Sequence, residues 1–156
     1  MGIWKGIVLA TALGAAATAQ AVVVYTVQLS GANEVAPVVP DPDGSGTATL
    51  TIDDSVSPPT VSWNLVVSNI QVPIRFWHIH SAPAGANGPV VVDFGTSMTG
   101  GPMADIDLAN VLSNPTGFYV NVHTFEHPAG AIRGQIPEPT TLSLLALGAL
   151  AMLRRR

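Results

Sequence analysis

The sequence predicts an all-β domain, an antiparallel β-sandwich or Greek-key barrel of about seven strands. Three observations carry that reading. Seven short runs are rich in Val, Ile, Thr and aromatic residues. Clusters of Gly, Pro, Asn and Asp separate them. Within several runs, apolar and polar side chains alternate with the period of a strand. The 156 residues leave room for one domain. With 47% hydrophobic and 10% charged residues, the chain is too apolar for a disordered, solvating segment.

The runs are Val23–Ser30, Gly46–Asp53, Val61–Asn69, Ile74–His80, Val90–Phe94, Gly117–Thr124 and Ala131–Ile136. Breakers fall at Pro37 to Gly46, Pro58-Pro59, Pro83 to Pro89, Gly100 to Pro102 and Pro128 to Gly130. Only Met103 to Ser113 suggests a helical turn. Alternation sorts the faces. Trp77 and Ile79 share one face of the fourth run, with Phe76, His78 and His80 on the other. In the sixth, Phe118, Val120 and Val122 oppose Tyr119, Asn121 and His123. In the last, Ile132 and Ile136 oppose Arg133 and Gln135. Trp63, Leu65 and Val67 point inward from the third run. The apolar sets are expected to fill the core, and the polar sets to lie on the outer face.

Both ends read as addresses. Residues 1–21 have the form of a secretory signal. Lys5 is the positive region, Gly6 to Ala17 an apolar run of 12, and Ala19-Gln20-Ala21 a small-x-small cleavage pattern. Signal peptidase is then expected to leave a mature chain starting at Val22. The domain occupies residues 22–136. The tail, 137–156, carries Pro137-Glu138-Pro139, then the apolar stretch Thr140 to Leu153, a short transmembrane segment, and finally Arg154, Arg155 and Arg156, which resist translocation. The body keeps only Arg75 and Arg133 against nine carboxylates. With no basic patch, nucleic acid is excluded as a partner. The absence of cysteine removes disulfides, thiolate metal sites and Cys nucleophiles. No Gly-x-Ser-x-Gly and no phosphate loop is present. Asp41-Pro42-Asp43-Gly44 reads as a turn.

Two stretches resemble known families. The order Pro-Glu-Pro, short apolar helix and arginine cluster resembles the PEP-CTERM sorting signal. That resemblance implies recognition by a membrane exosortase, transient inner-membrane anchoring, cleavage near Pro137-Glu138-Pro139, and delivery to the surface or matrix of a Gram-negative bacterium. In the body, four motifs resemble the CHRD domain: Trp77-His78-Ile79-His80, Pro83 to Val91, Tyr119-Val120-Asn121-Val122-His123-Thr124 and Pro128 to Ile136. The opening Leu29 to Pro37 is similar to the start of the same pattern, with Ala36 in place of an expected proline. The resemblance implies no assigned biochemical activity.

One constellation carries chemistry. His78 and His80 stand two residues apart on one strand face, about 6.5–7 Å apart at Cα. A neighbouring strand lies ~4.8 Å away, and His123 has the parity to supply a third imidazole from it. Three neutral imidazoles suit zinc or copper, with copper favoured in raw affinity. His127 is a candidate fourth ligand. The alternative is that these rings merely hydrogen-bond Asn121, Gln135 or backbone groups. The His-x-His pair, the later His123 and the glycine-flanked Arg133 are also similar to Cu,Zn superoxide dismutase. That similarity implies copper ligands at His78, His80 and His123, and an anion-guiding role for Arg133. It departs in lacking a disulfide pair and any histidine between Ser81 and Val90. The fold subtype is accordingly immunoglobulin-like or superoxide-dismutase-like. For Arg133 a structural role, pairing with Glu34 or Asp93 or packing its stem, stands beside the guiding one.

Two functions follow. The first is an exported, non-enzymatic binding or structural module of the envelope or extracellular matrix, with exopolysaccharide or surface proteins as partners. The alternative is a mononuclear copper or zinc protein with superoxide-dismutase-like chemistry.

Overall fold

The computed structural model describes residues 22–139, so the signal at 1–21 and the tail from Thr140, with Arg154, Arg155 and Arg156, lie outside the described residues. Eight strands form one wholly antiparallel sheet: β1 (Val22–Ser30), β2 (Ser45–Asp53), β3 (Thr60–Ser68), β4 (Phe76–Ser81), β5 (Val90–Asp93), β6 (Thr99–Ala104), β7 (Phe118–His123) and β8 (Ile132–Gln135). A short helix, α1 (Leu108–Ser113), precedes β7. The strand order is β5-β4-β7-β8-β1-β2-β3-β6, and the sheet curls into a half-barrel.

The middle of the sheet is its weakest seam. β8 and β1 share a single register pair, Ser30 with Arg133, so two four-stranded halves meet there. Gly134 permits the approach, because a Cβ at that position would collide with the Gln28 carbonyl. Away from the seam, the halves close on aromatic rings. Trp63 of β3 and Trp77 of β4 both donate their indole N–H to the Ser97 carbonyl at 3.0 Å, and Phe94 stacks 4.1 Å from Trp77. Tyr25, Val27 and Leu29 from β1, Leu50 and Ile52 from β2, and Trp77, Ile79, Val120, Val122 and Ile132 from the other half fill the space between. The inward set read from alternation is therefore the core. Leu65 is buried, and Trp63 and Val67 pack against the core from its rim.

The structure corrects two readings. The eighth strand, Thr99–Ala104, falls where Gly100 to Pro102 signalled a turn. It is an edge strand, exposed along nearly its whole length, and an edge tolerates Gly and Pro because one side of the ladder is unpaired. The second correction is larger. His78, His80, Asn121, His123 and Arg133 do not lie on an outer face. They are 9%, 8%, 4%, 6% and 2% exposed, and every residue of β7 is buried. Three connections cover that face: 34–44, 82–89 and 124–131. Asp41 N–H donates to the Ala131 carbonyl, and Asn87 Nδ2 to the Val35 carbonyl. Polar alternation here marks a second, polar interior.

Among the described residues, no helix is long and apolar enough to cross a membrane. The fold closes at Ile136, which is fully buried and donates its N–H to the Phe118 carbonyl at 3.0 Å, while Pro137 and Glu138 are exposed. A chain ending at Ile136 should thus melt within a few degrees of one that includes residues 137–156. Loss of β-sheet circular dichroism in the shorter chain would show that the tail belongs to the fold.

Candidate metal centre

Register brings the three sequence-predicted histidines together. On β4, His78 pairs with Asn121 and His80 with Tyr119, while Phe76 pairs with His123 of β7. All these side chains rise from one face of the sheet. The ring centroids of His78 and His80 lie 5.5 Å apart, those of His78 and His123 5.1 Å, and those of His80 and His123 6.0 Å. Each ring offers a nitrogen such that the three lie within 4.8 Å of one another. In a formed centre with bonds of about 2.0 Å, ligand nitrogens sit about 3.5 Å apart, so binding draws the rings inward by about 1 Å.

Each ring has its other nitrogen engaged by an acceptor. His80 Nδ1 lies 2.9 Å from the Gly88 carbonyl, and His123 Nδ1 lies 3.1 Å from the Pro128 carbonyl. A carbonyl only accepts, so both Nδ1 atoms carry hydrogen and both Nε2 atoms present lone pairs. His78 is turned the other way, with Nε2 3.4 Å from Asp93 Oδ1. The nitrogens left over are His78 Nδ1, His80 Nε2 and His123 Nε2, and all three are buried without a hydrogen-bond partner. This is the support that orients metal-ligating imidazoles. Among the described residues, neighbouring polar groups leave these three atoms without hydrogen-bond partners. A buried acceptor without a partner costs about 1–3 kcal/mol, and a donor set of three such nitrogens fits a cation.

Burial also keeps the rings neutral. It pulls all three histidines below their ordinary value, against the Asp93 carboxylate at His78 and the carbonyls at His80 and His123. His123 is lowest, at about 4, with His78, His80 and Arg75 adding repulsion. Neutral imidazole is the form that ligates.

His127, the candidate fourth ligand, is not among the three. Its Nδ1 lies 3.0 Å from the Val39 carbonyl, and its Nε2 is 3.9 Å from Asp41 Oδ2. Nor is Arg133 on an outer surface. It is 2% exposed, its Nη1 donates to Asn87 Oδ1 at 3.1 Å and its Nη2 to the Ala86 carbonyl at 2.7 Å, and its guanidinium lies 3.3 Å over the Tyr119 ring. Tyr119 in turn stacks on His80 at 4.8 Å and accepts the Gly88 N–H. Arg133 thus fastens the loop whose Gly88 carbonyl orients His80. Its expected partners Glu34 and Asp93 make no ion pair with it among the described residues.

Sequence reasoning named Glu34 only as a candidate partner of Arg133 and missed the covering loops. The signal available was the single acid inside the opening Leu29 to Pro37, which alternation alone could not bring to Gly130 beside Asn121.

A family model for the CHRD domain matches residues 25–136, and one for the PEP-CTERM protein-sorting motif matches residues 135–156. No curated protein and no solved structure matches the chain.

Proposed function

The chain belongs to the CHRD-domain family and carries a C-terminal PEP-CTERM sorting motif, and we propose that it is a non-enzymatic envelope module whose polar interior is held together by one copper or zinc ion on His78, His80 and His123. The sorting motif makes it an exported, surface-sorted protein and implies processing by an exosortase-type enzyme. In this reading signal peptidase removes residues 1–21, residues 22–136 are the working domain, and 137–156 anchor it transiently in the inner membrane of a Gram-negative cell before cleavage near Pro137-Glu138-Pro139. Exopolysaccharide or surface proteins are the partners such a location offers.

The observation that carries the metal is the convergence of one nitrogen from each of three buried rings, each of which also carries a buried nitrogen without a partner. The same burial argues for a structural or storage role above catalysis. None of the three histidines is more than 9% exposed, and turnover needs an open position that substrate can reach. Superoxide-dismutase-like chemistry with Arg133 as a guide would require that arginine to face solvent. It faces the 83–89 loop.

Direct titration tests the reading. The purified 22–136 domain should take up one equivalent of zinc or copper. His80→Ala and His123→Ala should each abolish uptake, and His127→Ala should leave it intact. Uptake that survives in the triple variant at His78, His80 and His123 would end the proposal.

A further inference from the structure

Glu34 is the group this account has not used. It follows the short 3₁₀ turn Gly31–Asn33 at the head of a covering loop, and its N–H donates to the Gly31 carbonyl at 3.0 Å. Seven buried polar side-chain atoms lack partners among the described residues. Three are the histidine nitrogens, two are the Glu34 carboxyl oxygens, and one is Asn121 Oδ1. Six of the seven therefore belong to the polar interior or its immediate wall.

Gly130 shows how close these groups come. A Cβ built there would stand 2.6 Å from Glu34 Oε1 and 2.9 Å from Asn121 Nδ2, so both side chains press on the same glycine. Asn121 pairs across the strand with His78 and precedes His123 by two residues on the same face. Glu34 and Asn121 thus both border Gly130, and Asn121 is the cross-strand partner of His78. The other charged groups around this interior are few. Arg133 faces Glu34 without forming an ion pair, and its N–H groups are directed at the 83–89 loop. Asp41 is beside His127. Asp93 is behind His78 with its side chain 64% exposed.

We propose that Glu34 is the charge-balancing acid of the metal centre, neutral in the empty protein and ionised once a divalent cation sits on the three imidazoles, so that loading the site expels one proton from its carboxyl. The proposal rests on the metal reading above. Balance is simple: the cation enters, the carboxyl O–H bond breaks, the proton leaves to solvent, and no electron moves. The physical reason is burial. An ionised carboxylate without a hydrogen-bond donor is costly in that interior, whereas a cation nearby restores the charged form. Burial raises the Glu34 carboxyl to about 7 even against the pull of Arg133. Burial lowers all three imidazoles, His123 to about 4, which favours their neutral form at that pH.

Zinc, which is redox-inert, is the probe. Titration calorimetry at pH 6.5 in two buffers of different ionisation enthalpy counts the protons released on binding. The parent domain should release most of one proton, and its zinc affinity should rise about fourfold from pH 6.5 to 8, as one ionisation near 7 requires. Glu34→Gln should bind one zinc, release no proton and show a flat affinity over that range. Equal release by Glu34→Gln and parent would overturn the proposal while leaving the metal site standing. So would a parent that binds zinc and releases none, a result that decides the matter even if the variant does not fold. Absence of zinc binding in the parent would instead bring down the metal reading, and this inference with it.

Discussion

Val122→Asp should leave the domain unfolded at room temperature. Val122 is fully buried in the common core between the two halves of the sheet, and its neighbours across the ladder, Trp77 and Ile132, are fully buried as well. An aspartate there buries a carboxylate with no partner, or a protonated acid with unmet hydrogen bonds, in place of two methyl groups. Either costs several kcal/mol, against a total of about 5–15 kcal/mol for a domain of this size. The same substitution at Val66, which is 58% exposed on β3, should change stability by no more than about 0.5 kcal/mol. Circular dichroism and thermal melting of the two variants compare the burial cost with the chemistry held constant. Similar melting curves would invert the assignment of the faces.

The second large effect is metal stabilisation and its loss in acid. A ligand that binds only the folded state at a thousand times its dissociation constant adds about 4 kcal/mol, equivalent to roughly 15 °C in a domain of this size. That gain should fade as pH falls through the lowered folded values of the three rings, about 4 for His123, because protonated rings do not ligate. The metal-free protein carries its own pH dependence, and the sign can be worked out. His123 takes a proton at about 6.5 when unfolded and at about 4 when folded. Between those values the unfolded chain binds more protons, so stability present above pH 6.5 is lost as pH falls, by roughly 3 kcal/mol at pH 4. His78 and His80, also lowered by burial, act in the same direction. Glu34 opposes them. Its raised folded value gives stability that is full in acid and lost as pH rises toward 7. Glu34→Gln should therefore melt far more steeply with acid than the parent. Parallel curves would place Glu34 outside the buried interior.

Much of this was legible in the residues. The alternation Trp77-His78-Ile79-His80 and Phe118 to His123 gave both the inward apolar set and the shared histidine face, because the period of a strand admits no other sorting. Parity places His123 on the same face as the pair, and the register supplies adjacency, which parity cannot. The eighth strand stayed hidden because Thr99–Ala104 is an exposed edge with Gly and Pro in it, lacking the burial that writes a hydrophobic pattern. The buried state of the polar face was hidden for a different reason. The segments that cover it, 34–44, 82–89 and 124–131, are glycine- and proline-rich and hold it through backbone carbonyls and the Arg133 and Asn87 side chains. Backbone carbonyls leave no mark in composition, so the structural role that stood beside the guiding one for Arg133 could not be traced to the loop it contacts.

X-ray absorption at the zinc edge of the loaded, purified domain tests the central claim most directly. The account predicts three imidazole nitrogens at about 2.0 Å, with the outer-shell scattering of histidine rings, and loss of that signature in the triple variant at His78, His80 and His123. A first shell of oxygen alone, or an imidazole signal that persists in the triple variant, would contradict it.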